Sequence, residues 1–117
     1  LLEGVKRIER KTKVPIQAAG LSGGGSRSDG VAQIMADIFN RPVYRVQTFE
    51  TTGLGAAIAT FVGLNHYPDI HTASAAMIRK SRVFEPNPEN AIIYTEIYSK
   101  LYKQLYRRVK PLYQSYD

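Results

Sequence analysis

The sequence predicts an α/β domain in which helices cover a small sheet and a helical tail ends the chain. Three observations lead to this fold class. Long segments carry apolar residues at helical spacing, two shorter segments between them have strand patterns, and turn residues separate the segments. The order helix, strand, helix, strand, helix is typical of α/β domains. Neither an internal repeat nor a linker interrupts it, so residues 1–117 are expected to form a single domain.

The first predicted helix covers residues 1–13 and ends before Pro15, because proline disfavours a helical residue in front of it. The chain begins at Leu1 without an initiator methionine, and the helical spacing is present from that first residue. We therefore expect the domain to be partial, a piece of a larger protein. The apolar side of this helix is Leu1, Leu2, Val5 and Ile8.

Residues 16–21 are the first predicted strand, short and mostly apolar, as in a strand covered on both faces. The glycine-rich stretch 22–26 breaks it. A helix then runs from Ser28 to Phe39, with Ser28 or Ser26 expected as its cap. Its predicted apolar side is Val31, Ile34, Met35, Ile38 and Phe39.

Residues 42–47 alternate between two faces, which predicts a half-buried strand. The alanine-rich helix 53–62 follows, with Thr51 or Thr52 as its expected cap. Beyond it we predict a loop over 64–72 and a short helix over 72–80.

The positive residues after that short helix are expected to form its solvated end; they are Arg79, Lys80 and Arg82. Residues 84–88 are predicted to be an extended connector, because prolines at 86 and 88 disfavour a helix. A long helix over about 89–113 completes the chain.

Composition excludes several classes of protein. The 117 residues are long enough for a core, with 44% hydrophobic and 22% charged residues, as in ordinary soluble domains. No apolar run reaches the roughly 18 residues of a membrane helix, so no membrane partner is expected. The absence of cysteine rules out disulfides and thiolate metal sites and fits a cytoplasmic location.

The net charge of +6 comes mainly from two basic clusters, within residues 6–13 and 100–110. Both lie on predicted amphipathic helices, so solvated helix faces are the favoured interpretation and nucleic acid binding the less favoured one. The stripe Tyr94, Tyr98 and Tyr102 predicts a packing face; any uncovered part would favour a homodimer. His66 and His71 are too few ligands for a metal site.

Three consecutive glycines stand between the first strand and the second helix. Glycine tolerates positive φ and lets a ligand approach the backbone, and a helix N-terminus favours an anion. The pattern therefore predicts a phosphate site at Gly23–Gly25, with hydroxyls from Ser26 and Ser28. The dinucleotide fingerprint fails because Ser28 stands where it needs glycine, and no Gly-Lys-Ser or Gly-Lys-Thr of a P-loop is present.

A family resemblance rests on two blocks of the sequence. The first runs from Gly23-Gly24-Gly25-Ser26-Arg27-Ser28-Asp29 to Arg41-Pro42-Val43, and the second from Glu50 to Ala57. With these blocks, and Phe84-x-Pro86 and Tyr94 further on, nearly the whole chain resembles the C-terminal domain of FGGY carbohydrate kinases. That family includes glycerol, xylulose, ribulose and gluconate kinases. The resemblance implies the C-terminal part of an actin-like (ribonuclease H-like) ATPase domain.

The resemblance implies ATP and Mg²⁺ as cofactors of the parent enzyme and a sugar or polyol as the acceptor. Gly24 matches the glycine that lies against the nucleotide phosphates, and Ser28 matches an asparagine that contacts adenine in glycerol kinases. The predicted nucleotide-binding residues are Gly23, Gly24, Gly25, Ser26 and Ser28.

Other residues of the two blocks receive supporting roles. Gln33 is expected to be structural, and Asp37 a surface or packing partner. Glu50 and Thr52 border the nucleotide cleft by the same resemblance, with Thr52 as a helix cap rather than a ligand contact.

The family's catalytic aspartate, sugar-binding residues and N-terminal phosphate hairpin match no part of this chain. The resemblance therefore implies no catalytic residue here, and we expect the isolated chain to be inactive. Two alternatives stay open: an actin-like ATPase that is not a kinase, and a basic module that binds nucleic acid or a protein partner.

Overall fold

In the part of the chain that the structure describes, three short strands form one sheet, in the order β1 (Ala19–Leu21), β2 (Val43–Val46) and β3 (Lys80–Phe84). The computed structural model describes residues 1–114, apart from the side chain of Tyr106. β1 pairs with β2 in parallel, with Leu21 opposite Arg45. β3 lies antiparallel on the other side of β2, with Phe84 opposite Val43. β2 is therefore the central strand.

Among the described residues, six helices accompany the sheet: α1 (Leu2–Thr12), α2 (Asp29–Phe39), α3 (Thr51–Gly63), α4 (Ile70–Met77), α5 (Pro88–Ile97) and α6 (Lys103–Gln114). A 3₁₀ turn, Gly24–Arg27, precedes α2, and a π-helical turn, Tyr98–Tyr102, joins α5 to α6. The predicted order helix, strand, helix, strand, helix is confirmed for α1 to α3, as is the long C-terminal helical stretch. Among residues 1–114, no helix combines the length and the apolar character needed to span a bilayer.

Strand β3 was not predicted. The sequence favoured a helix to residue 80 with a solvated, positively charged end, but α4 ends at Met77 and the chain becomes extended at Ile78. Only Phe84 of β3 is buried, so the strand carries no apolar alternation. Its charged residues suit a sheet edge, where lysine discourages pairing with another chain.

Contacts with the segment around β2 hold β3 in place. The Gln47 side chain donates to the carbonyl of Met77 at 2.6 Å and accepts from the Arg79 N–H at 2.9 Å. Ser81 donates to the carbonyl of Val46 at 3.0 Å. These bonds depend on tertiary structure, which explains why local sequence patterns miss the strand.

Small side chains let α2 lie close to the sheet. Ala32 and Ala36 are fully buried and pack with Phe39, Val43 and Phe84. The predicted apolar side of α2 is wrong in part, because Val31 and Ile34 are 41% and 45% exposed. The core face is set by close approach of the backbone rather than by the largest apolar residues.

A buried carboxylate joins α2 to α5. Asp37 is 2% exposed and accepts from the Asn87 N–H at 2.7 Å and from the Asn90 side chain at 2.9 Å. Gln33 donates to Asp37 at 2.9 Å and to the Glu85 carbonyl at 2.8 Å, which confirms its structural role. Asp37 is thus a packing partner and not a surface residue.

Opposing effects set the pKa of Asp37. Burial would raise it, but hydrogen bonds from Asn87, Asn90 and Gln33 together hold the pKa of Asp37 below its ordinary value. Because the folded-state pKa is the lower one, the stabilisation is complete above the unfolded-state pKa and is lost as the pH falls through the folded-state pKa.

The tyrosine stripe is only partly a packing face. Tyr98 is 7% exposed, donates to the carboxylate of Glu3 on α1, and lies under the ammonium groups of Lys6 and Lys103. Tyr102 stacks on Tyr98 with ring centroids 5.8 Å apart but remains 56% exposed. Tyr98 therefore binds α1, whereas the described residues leave Tyr102 largely uncovered.

Replacement of Asp37 by alanine is expected to lower the free energy of unfolding by about 2–4 kcal/mol, because three part-buried hydrogen bonds to a buried carboxylate are lost. Urea unfolding at neutral pH measures this loss. Asp37→Asn should also flatten the fall of stability below about pH 4. Equal pH dependence in wild type and Asp37→Asn would contradict the role assigned to the carboxylate.

Candidate functional site

The glycine-rich turn lies at the carboxyl ends of the two parallel strands. β1 ends at Leu21, the turn follows, and α2 begins at Asp29 and returns over the sheet. In α/β sheets, ligands bind in the crevice outside the carboxyl ends of the strands. The predicted nucleotide-binding residues therefore lie where this architecture offers a site.

Gly23 and Ser26 give the turn its shape. Gly23 has φ 79° and ψ −172°, a backbone conformation that is essentially restricted to glycine. Both the N–H and the hydroxyl of Ser26 donate to the Gly23 carbonyl, at 3.0 and 2.6 Å. Ser26 is 1% exposed, so its hydroxyl points into the turn and is engaged there.

Nothing in the described structure requires glycine at positions 24 and 25. Neither residue has positive φ, and a Cβ added to either would meet no heavy atom of the described residues within 4 Å. The backbone here is exposed and open to close approach from outside the chain.

Ser28 is the N-cap of α2. Its hydroxyl oxygen accepts from the Val31 N–H at 3.3 Å, and its carbonyl accepts from the Ala32 N–H at 3.1 Å. Ser28 is exposed, and a hydroxyl that accepts a capping bond can also donate one hydrogen bond. Of the two predicted caps, the structure selects Ser28.

Two arginines converge on the first residue of α2. Arg45 Nη1 lies 2.7 Å from Asp29 Oδ1, and Arg82 binds the other carboxylate oxygen. Both guanidinium groups lie 4.9 Å from the ring centroid of Phe84. The hydrogen bond from Arg45, with the nearby charge of Arg82, lowers the pKa of Asp29 despite partial desolvation.

Sequence reasoning missed this cluster because Arg82 was assigned to a solvated helix end. One signal was available: Arg45 alternates with Val43 and so shares its face of β2. Arg45 is 8% exposed, which is unusual for a charged residue unless it is paired.

The structure brings the two sequence blocks together at this edge. Arg27 Nη2 lies 3.8 Å from Glu50 Oε1, and the Arg27 guanidinium lies 5.4 Å from the Phe49 ring centroid. Glu50 is the N-cap of α3 and its side chain makes no capping bond. The expected capping by Thr51 or Thr52 is wrong, because α3 begins at Thr51 and both threonines lie inside the helix.

The described residues do not form a magnesium site at the turn. Its two acidic side chains are both engaged by arginine, Asp29 with Arg45 and Arg82, and Glu50 with Arg27. Elsewhere in the described part of the chain, no three histidine or acidic residues gather as metal ligands.

The two basic clusters meet at a separate place. A cleft of about 480 Å³ between α1 and the start of α6 is lined by Glu3, Lys6, Glu9, Arg10, Lys13, Tyr98 and Lys103. Its carboxylates are already occupied: Glu3 accepts from Tyr98, and Glu9 accepts from the Ile16 N–H at 2.9 Å and pairs with Arg41. The cleft lies on α1 and α6 and includes no residue of the glycine turn.

The first 64 residues match the family described as "FGGY family of carbohydrate kinases, C-terminal domain". A sugar kinase of Escherichia coli strain K12, YgcE, described as uncharacterised, is 47% identical over 74 residues, or 63% of this chain. A xylulose kinase of Staphylococcus epidermidis is 39% identical over 74 residues, again 63% of this chain.

A solved structure has the same fold. The ligand-bound xylulose kinase of Lactobacillus acidophilus superposes on 89% of this chain with a TM-score of 0.78 and 24% identity. The fold is therefore the C-terminal part of an actin-like ATPase domain. The chain spans 15% of the length of each of the two sequence relatives and 21% of the solved chain.

Replacement of Gly23 by alanine is expected to lower the free energy of unfolding by about 1–3 kcal/mol, because alanine is strained at the Gly23 dihedral angles. Gly24→Ala is the matched control, since an added methyl group there meets no described atom. Urea unfolding of both variants makes the comparison. Equal losses would contradict the distinction between the two glycines.

Proposed function

The chain belongs to the FGGY family of carbohydrate kinases, as part of its C-terminal domain, and from that premise we propose that it forms one wall of an ATP site. The parent enzyme transfers the γ-phosphate of ATP to a hydroxyl group of a sugar or polyol. The matched relatives are named as sugar kinases, which favours a kinase over an actin-like ATPase of another type.

The single observation that carries the proposal is the presence of glycines that the fold does not need. Gly23 is explained by its backbone conformation, whereas Gly24 and Gly25 have ordinary dihedral angles and open space in front of them. Glycine in such a place allows a ligand to come within contact distance of the backbone. The nucleotide phosphates are the group assigned to that space.

Helix geometry and charge support binding of an anion there. The exposed N–H groups and positive dipole end of α2 lie directly after the turn, and α3 begins at the same edge of the sheet. Around them stand Arg27, Arg45 and Arg82 against Asp29 and Glu50, which is three positive and two negative charges, or +1. The local field therefore favours phosphate.

Each predicted site residue has a distinct role in this proposal. The phosphates lie against the backbone of Gly24 and Gly25, while Gly23 and Ser26 maintain the conformation of the turn. Ser28 caps α2 and presents its hydroxyl to the nucleoside. Magnesium ion would bind to the nucleotide phosphates, since the described residues bring no group of three acidic or histidine ligands together.

Phosphoryl transfer also needs a group that accepts the proton of the sugar hydroxyl. The two carboxylates of α2 do not suit that task. Asp37 is buried and bound by three donors, and Asp29 is bound by two arginines. With lowered pKa values, both are weak bases at neutral pH. This chain therefore contributes positioning of the nucleotide and leaves proton transfer to the rest of the enzyme.

We expect the isolated chain to bind Mg·ATP weakly, with a dissociation constant on the order of 1 mM, because only one wall of the site is present. Gly24→Ala should weaken binding by about tenfold, since a methyl group displaces the phosphates from the backbone. Isothermal titration calorimetry measures both. The control is Gly4→Ala, in α1 and equally open; comparable weakening there, or undiminished binding in Gly24→Ala, would refute the proposed contact.

The isolated chain should show no sugar-dependent ATP hydrolysis or phosphoryl transfer, because neither carboxylate of α2 suits the role of the base and the family's catalytic aspartate matches no part of this chain. A coupled ADP-release assay with glycerol, xylulose, ribulose and gluconate tests this. Turnover above the rate without sugar, lost again in Gly24→Ala, would show that the chain holds a complete active site.

A further inference from the structure

Asp29 connects three elements at the candidate site through one carboxylate. It is the first residue of α2, and its two oxygens bind Arg45 on β2 and Arg82 on β3. Arg45 and Arg82 are paired neighbours across the two antiparallel strands. The start of α2 is thereby tied to the sheet next to the glycine turn.

The buried charge of Arg45 is stabilised by the carboxylate of Asp29. Its side chain is about nine-tenths buried, and neither Nε nor Nη2 has an acceptor among the described residues. The Phe84 ring packs near the guanidinium and offers no hydrogen-bond acceptor of ordinary strength. A buried charge that loses its partner is strongly unfavourable. Asp29 is therefore held in place by a group that has nowhere else to bond.

The turn has few other anchors to the sheet. Its described side-chain bonds are local, from Ser26 to Gly23 and from Val31 to Ser28, and its one ion pair, Arg27 with Glu50, is exposed on both sides. The position of the turn relative to β2 and β3 is thus set at Asp29, one residue beyond the Ser28 cap.

We propose that Asp29 is a positioning residue for nucleotide binding: clamped between Arg45 and Arg82, it fixes the α2 N-terminus and with it the backbone of Gly24 and Gly25. The inference rests on the proposed nucleotide site. Asp29 itself does not contact the nucleotide. The clamp carries one negative charge between two positive charges, so it fixes the helix without making the local charge negative.

Removal of the Asp29 charge distinguishes a positioning role from simple electrostatic repulsion, because the two predict opposite changes in the affinity for Mg·ATP. As a charge near the phosphates, Asp29 repels them, so Asp29→Asn would tighten Mg·ATP binding. If Asp29 is instead a positioning residue, Asp29→Asn would weaken binding by about tenfold or more, since loss of one charge-assisted hydrogen bond to phosphate has an effect of that size. Calorimetry on the full chain, at a temperature where circular dichroism shows each variant folded, measures the sign.

Glu9→Gln is the matched control. It also removes one negative charge and one arginine pair, Glu9 with Arg41, but it lies on α1 and contacts Ile16 before the start of β1. The affinity of Glu9→Gln for Mg·ATP should stay within about twofold of wild type. Equal weakening in Glu9→Gln and Asp29→Asn would overturn the proposal, as would unchanged or tighter binding in Asp29→Asn.

Amide exchange provides a readout that does not depend on nucleotide. NMR should show faster exchange of residues 23–28 in Asp29→Asn than in wild type, with no such change in Glu9→Gln. If wild type fails to bind Mg·ATP, the proposed function fails, and the exchange comparison still decides the positioning role. Asp29→Glu keeps the charge but moves the carboxylate, so its affinity for Mg·ATP and its amide exchange rates should lie between those of wild type and Asp29→Asn. If Asp29→Asn does not fold, wild-type values in Asp29→Glu would contradict the positioning role.

Discussion

Close packing of α2 on the central strand is the constraint on which the rest of the structure depends. Ala32 and Ala36 are fully buried against Val43, and their small side chains bring the helix backbone near the sheet. This close approach of the helix to the sheet places the N-terminus of α2 over the carboxyl ends of β1 and β2. The open backbone at Gly24, the ion pairs of Asp29 and the hydrogen bonds of Asp37 all follow from the position of this one helix.

The two carboxylates of α2 fix the helix at its two ends. Asp29 in the first turn binds charged partners from the sheet, whereas Asp37 in the last turns binds neutral donors from the segment 87–90 and Gln33. The ion pairs of Asp29 depend on the charges of the two arginines, whereas the hydrogen bonds of Asp37 depend on the positions of its donors. Together they hold both ends of α2, one against β2 and β3 and the other against α5.

Much of the fold follows from local sequence, and so does the place of the candidate site. Pro15 and the glycine turn mark element ends, and Ser28 is one of the two caps that the sequence predicts. What local sequence misses depends on distant partners: β3 forms through Gln47 and Val46, and Arg45 is buried because Asp29 and Phe84 receive it. The apolar pattern of α2 also predicts its buried face wrongly in part, because burial there depends on the small side chains of Ala32 and Ala36 rather than on hydrophobicity.

The two glycines at 24 and 25 have a consequence for the unfolded chain and for evolution. Glycine increases the number of conformations open to an unfolded segment, so each position that could accept alanine without strain lowers folding stability by about 0.4–1 kcal/mol. The fold gains no contact in return. Selection for stability alone would replace both residues, and a lineage that no longer binds a ligand here would be free to do so. On the proposed nucleotide site, ligand binding is favoured over stability at these two positions.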